Sequence, residues 1–156
     1  MRRSAFALFL VAALAGCERP APLEVADAWT RDSVGGTDSA AVFMTITSPD
    51  ADRLVAASTP AAAKTDLMTM QVEGGEGEGG SMAMKYLEAI DIPSGEPVSL
   101  DPSGLHVWLT DLDAPLKAGE TFPLTLEFEN AGRREVTVSV IAPAAPAPMA
   151  GMEMSN

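Results

Sequence analysis

The chain has 156 residues, 22 acidic and 10 basic side chains and a net charge of −12; 47% of it is apolar, enough to bury the core of one ordinary domain. The acidity argues against nucleic acid and against an anionic membrane surface as partners. One Cys and one His exclude a disulfide framework, a Cys-rich zinc site and most Cys/His nucleophile arrangements, whereas nine Met form an unusual excess.

Residues 1–16 read as an export signal peptide. Arg2 and Arg3 give the positive start, and Ala5 to Leu14 is an apolar run too short to span a membrane. Leu14-Ala15-Gly16-Cys17 then resembles a bacterial lipobox. The resemblance implies cleavage before Cys17 and lipidation of that Cys, so the membrane is met through a lipid anchor only. Loss of Arg2 and Arg3 takes the net charge to −14 and leaves no free thiol, which suits the bacterial periplasm. Glu18 stands where enterobacterial sorting rules place Asp for the inner membrane, which favours the outer membrane. Residues 17–24, with Pro20 and Pro22, form the lipidated Cys and a short tether.

Residues 25–141 are expected to form one all-β domain. Ala41 to Thr47 alternates and stops at Ser48-Pro49-Asp50. Arg53 to Ser58 follows. Leu67 to Val72 and Met82 to Ile90 flank a Gly/Glu loop, which makes them a candidate hairpin. Pro97 to Leu100 precedes the turn Asp101-Pro102-Ser103-Gly104, and Leu105 to Thr110 comes next. In Phe122 to Glu129, Leu124, Leu126 and Phe128 alternate with polar residues; in Glu135 to Ile141, Val136, Val138 and Val140 do. Period two with β-branched enrichment means half-buried strands, and eight or nine of them without a helical pattern predict a sandwich or barrel. Residues 142–156, Ala/Pro-rich and then Met-rich, read as a flexible tail.

No enzyme chemistry is legible. His106 has no Cys partner in the mature chain, and the acids are scattered over turns and strand ends. The run from Gly74 to Gly80 lacks the Lys-Ser/Thr ending of a phosphate loop and the ligand spacing of a calcium loop. The Met residues say more. Met68 and Met70 lie two apart on one strand, Met82 and Met84 two apart on the next, and side chains two apart share a face. Four thioethers can therefore gather on one side of a hairpin. A thioether is a soft, neutral donor suited to Cu(I), and His106 adds an imidazole. Core packing is the ordinary role of such Met residues, and Met44 is assigned to the core.

From Ala28 to Val140 the chain resembles the periplasmic PCu(A)C copper chaperones. The resembling stretches are Ala28-Trp29-Thr30-Arg31, Ala40 to Thr47, Ala51 to Val55, Glu88-Ala89-Ile90 and Pro115 to Glu120. The resemblance implies a cupredoxin-like Greek-key β-sandwich. The family motif is His or Met, ten residues, Met, twenty-one residues, His, one residue and Met. Here twenty-one residues separate Met84 from His106, and fifteen separate Met68 from Met84, the surplus being the Gly/Glu loop. The resemblance thus implies Met68, Met84 and His106 as Cu(I) ligands.

The final motif Met is replaced by Trp108. An indole has no lone pair for a metal, but its π-face can lie over Cu(I). The ligand set then resembles that of small copper/silver carriers of efflux systems. Met70 or Met82 offers a further thioether. Met149, Met152 and Met154 in the tail, without His, favour Cu(I) binding there. The family role implies delivery to the copper-site subunit of cytochrome c oxidase or to another periplasmic copper carrier. A scavenging lipoprotein without a client, and a metal-free structural or interaction lipoprotein, are the alternatives.

Overall fold

The computed structural model describes residues 22–33, 36–73 and 81–148. The signal segment, Cys17 and the tail residues Met149, Met152 and Met154 lie outside the described residues. Ten strands follow in order: β1 (Glu24–Arg31), β2 (Ser39–Thr47), β3 (Asp52–Ser58), β4 (Ala62–Glu73), β5 (Ser81–Leu87), β6 (Ile90–Ile92), β7 (Pro97–Leu100), β8 (Leu105–Leu112), β9 (Thr121–Phe128) and β10 (Gly132–Ile141). Among the described residues there is no helix.

The strands form one sheet in the order β5-β4-β8-β2-β1-β10-β9-β3-β6, with β7 also pairing β2. Only β1 and β10 pair in parallel among the named strands. Strand β2 is shared, its first half pairing β8 and its second half β7. The sheet folds over on itself, and the facing halves bury one core. Val42, Ile46, Val107 and Leu109 of one half meet Leu54, Leu124, Leu126 and Val138 of the other, all fully buried. Each such side chain contributes about 1.5–3 kcal/mol by leaving water. Met44 is in this core at 2% exposure, as its place among Val42 and Ile46 implies.

The expected run from Met82 to Ile90 is two strands. β5 pairs β4 in one half, whereas β6 pairs β3 in the other, so the chain must leave the first layer at Glu88-Ala89. Asp52, buried at the start of β3, closes the β9–β10 turn. Its carboxylate accepts from the backbone N–H groups of Arg53, Asn130 and Ala131 and from the Asn130 amide. Burial alone would raise its pKa, but these four bonds together outweigh it and hold the group below its ordinary value of 3.8.

A bulge in β1 determines what the outer face carries. Val25 pairs Ile46, on the core side, whereas Trp29 pairs Phe43, on the opposite side. Simple alternation would put residues 25 and 29 on the same face. The register shifts between Ala26 and Trp29, where Asp27 has φ 52°, and this extra residue turns Trp29 outward.

Candidate functional site

In the middle of β8 and β4 alternate residues pack in the core: Val107 and Leu109 on one, Leu67 on the other. The residues between them, His106, Trp108 and Met68, therefore stand on the outer face. Met68 and His106 are direct cross-strand partners, and Tyr86 of β5 is the next partner of Met68. Side chains so paired have Cβ atoms about 4.5–5.5 Å apart. On the other flank Phe43 lies beside His106, with ring centroids 6.3 Å apart, and Trp29 beside Phe43 at 4.7 Å. A row thus crosses five strands: Trp29, Phe43, His106, Met68, Tyr86. Its first four members are 3–7% exposed although they lie outside the core, while Tyr86 is 63% exposed.

Two neighbouring rows complete the face, each about 6.8 Å along the strands. Met70 pairs Met84, and Met70 N–H donates to the Gly104 carbonyl. On the other side Trp108 pairs Asp66. Trp108 packs edge-on to the His106 imidazole, with centroids 6.0 Å apart and planes at 75°. Lys64 Nζ lies 3.0 Å from Asp66 Oδ2 and 5.6 Å from the Tyr86 ring. That Asp66 oxygen has no aligned hydrogen-bond partner, so we read the contact as an ion pair. Closeness to Asp66 and its charge hold the Lys64 pKa above the ordinary lysine value.

The Gly104 carbonyl accepts a second bond, from His106 Nδ1 at 3.1 Å. A carbonyl can only accept, so Nδ1 carries the proton, and in the neutral imidazole Nε2 is the nitrogen with the lone pair. One backbone oxygen therefore fixes the His106 tautomer and ties β4 to the start of β8. The preceding turn is itself braced, because Asp101 Oδ1 accepts from the Ser103 backbone N–H at 2.8 Å.

Of the residues singled out in the sequence, Met68 and His106 are adjacent, and Met84 faces Met70 one row away. Met82 faces Val72 a further row on, and is 57% exposed. Trp108 and Met84 flank the His106–Met68 row from opposite sides. The sequence reading missed Tyr86, Phe43 and Trp29. Tyr86 was detectable, since it continues the alternation of Met82 and Met84. No three His, Cys, Asp or Glu side chains converge as a metal cluster among the described residues, so soft donors dominate this face.

A β fold of this kind is shared with solved PCuAC domains. The Cu(I) form of DR1885 from Deinococcus radiodurans superposes with a TM-score of 0.63 at 29% identity, covering 83% of this chain and 85% of that one. The copper-bound PCuAC domain of PmoF2 gives 0.62 at 22% identity, covering 80% and 97%, a likeness of fold. The chain belongs to the LpqE-like lipoprotein family, which it matches over residues 23–140. A relative, Lxx21020 of Leifsonia xyli subsp. xyli (strain CTCB07), whose name describes it as a lipoprotein, is 28% identical over 118 residues, covering 76% of this chain and 69% of that protein.

Proposed function

We propose that this protein is a non-enzymatic Cu(I) chaperone of the bacterial periplasm, anchored by a lipid on Cys17. Met68, Met84 and His106 hold the ion, with Met70 as a further thioether and Trp108 flanking the imidazole as its cap. Met82 lies outside the first ring of donors. Met149, Met152 and Met154 collect copper for the folded site. The reading is carried by the buried pairing of Met68 with His106, whose Nε2 is left free to bind metal, beside the Met70–Met84 pair. It is supported by family membership and by the copper named for DR1885 and PmoF2.

Neutral thioether and imidazole donors bind Cu(I) selectively without the grip of thiolates. Met84 is 41% exposed on the edge strand, whereas Met68 and His106 are 3% exposed. A client's donor displaces Met84 first, and the buried pair releases the ion last. The copper-site subunit of cytochrome c oxidase, or another periplasmic copper carrier, is the client this chemistry serves.

The test is an anaerobic Cu(I) titration of residues 22–148 against a chromophoric chelator. One ion per chain, with binding weakened in His106→Ala and Met84→Ala, is expected. Parent-like affinity in both variants would refute the site. No binding at all by this fragment would leave copper to Met149, Met152 and Met154, or leave a metal-free interaction lipoprotein. A second titration, against an oxidase copper domain, separates delivery from scavenging by whether the ion transfers.

A further inference from the structure

Among the described strands the sheet ends in β5 on one side and β6 on the other, and the two edges are finished differently. β6 has three residues and is followed by Pro93, and its Asp91 lies 3.2 Å from Arg53 Nε. Short length, proline and charge are the usual means of stopping an edge from pairing further. β5 has seven residues, pairs β4 in register at every one of them, and contains no proline, no bulge and no acid. Its single charge is Lys85, in a chain of net charge −12.

One bond sets the direction of the free backbone groups on β5. Met70 N–H donates to the Gly104 carbonyl at 3.0 Å, on the β8 side of β4. The N–H and C=O of one strand residue point the same way, and successive residues alternate. Met70 therefore turns its groups away from β5, and its pairing with Met84 carries no mutual hydrogen bond. Met84 then points its own N–H and C=O away from β4, into the open edge, and Met82 and Tyr86 do so by the same alternation. The side chains of these three residues are 57% exposed at Met82, 41% at Met84 and 63% at Tyr86.

A second copy of β5 supplies the matching groups. Antiparallel pairing about a two-fold axis at Met84 sets Met84 opposite Met84 of the second copy, and Met82 opposite its Tyr86. Every outward N–H and C=O of these residues is then bonded across the axis. The Met82 thioether meets a phenol ring, a favourable sulfur–aromatic contact. Lys85 falls opposite Ala83, whereas an axis at Lys85 would set two ammonium groups face to face. An axis at Met82 or at Tyr86 would carry half of β5 past the end of its partner. The strand is about 23 Å long, so the interface belongs to the small class, below about 1,200 Å², and association is weak.

We infer that β5 pairs antiparallel with β5 of a second copy about an axis at Met84, joining the Met70–Met84 pairs of both copies into one row of four thioethers. This pairing does not depend on copper binding, and its test is metal-free. The mature chain, residues 17–156 with Cys17→Ser, carries neither lipid nor thiol. In sedimentation its dimer fraction should rise between about 10 µM and about 1 mM, as a small interface requires. Met82→Pro removes an N–H that β4 does not use, and proline is tolerated at such an edge position. It should weaken the dimer by about fivefold or more, the effect of losing hydrogen bonds, with a parent-like urea midpoint. Met82→Cys, Met84→Cys and Tyr86→Cys, made singly in this background, read the register. Residues opposite each other in a bonded pair have Cα atoms about 5.5 Å apart, within reach of a disulfide. Residues 82 and 86 lie about 14 Å from their own counterparts. Oxidised dimer should therefore form about tenfold or more faster at 84 than at 82 or 86. A parent that stays monomeric at about 1 mM, or equal cross-linking at all three positions, would overturn the inference. A dimer undiminished by Met82→Pro would place the contact elsewhere and overturn it equally.

Discussion

Replacing Met68 by Leu separates the chemistry of the outer face from the stability of the fold. Met68 is 3% exposed, so the substitution must be judged as a buried one. Leu nearly conserves the volume, and such swaps usually cost less than about 1.5 kcal/mol. The sulfur beside His106 is lost outright. Changes one shell further out from a metal commonly cost about 10–100-fold in affinity, so loss of a direct donor should weaken Cu(I) binding by about 100-fold or more, roughly 2.8 kcal/mol. Val107→Ala is the counterpart, on the neighbouring strand β8 with its side chain in the core at 0% exposure. Two buried methyl groups are removed there, costing about 2 kcal/mol, while the donors stay in place. Urea unfolding and chelator-competed Cu(I) titration on both variants give the full comparison. Parent-like copper affinity in Met68→Leu would sink the ligand assignment. A loss of several kcal/mol of stability in that variant would instead show that Met68 serves mainly to hold the sheet together.

Three further outcomes are expected. Trp108→Leu should abolish any copper-dependent quenching from this position and weaken binding by about 2–30-fold, the range of a cation–π contact; unchanged titration and fluorescence curves would remove Trp108 from the site. Asp52→Asn should destabilise the fold by about 1–3 kcal/mol near neutral pH, because hydrogen bonds to a charged acceptor are lost. The folded-state pKa of Asp52 is lowered, so its stabilisation is present above about 3.8 and fades as pH falls through the folded value; the gap between variant and parent in thermal melts should narrow below that pH, and a gap that widened in acid would contradict the assignment. Ser33→Ala should cost about 1–3 kcal/mol, since Leu116 N–H loses its acceptor Ser33 Oγ at 2.7 Å in a buried setting; chemical denaturation that left the parent midpoint unchanged would show that another acceptor takes over.

Much of this fold was legible because alternation and burial coincide. Leu124, Leu126 and Phe128 read as one strand face and pack as one. The thioether face was legible for the same reason, since Met68, Met70 and Met84 share a parity and the hairpin register keeps it. The first strand was harder to read. In Glu24–Arg31 the bulge at Asp27 breaks the period, so Trp29 could not be assigned a face from its spacing to Val25. The parallel pairing of β1 with β10 joins opposite ends of the domain and leaves no local trace. The second bond to the Gly104 carbonyl was illegible too. A glycine in a turn advertises a bend, whereas the tautomer it imposes on His106 exists only once the strands have paired.

The domain treats inserted residues in two opposite ways. Glu73 and Ser81 close the β4–β5 hairpin in unbroken register, so extra length between them leaves Met68, Met70 and Met84 on their shared face. Lineages can therefore lengthen or shorten that connection freely. One residue at Asp27 is different: deleting it would restore strict alternation in β1 and drive the Trp29 indole toward the core. Sequence comparison among relatives should find length drifting in the hairpin and held constant in β1, although none of the proposed copper donors lies on β1.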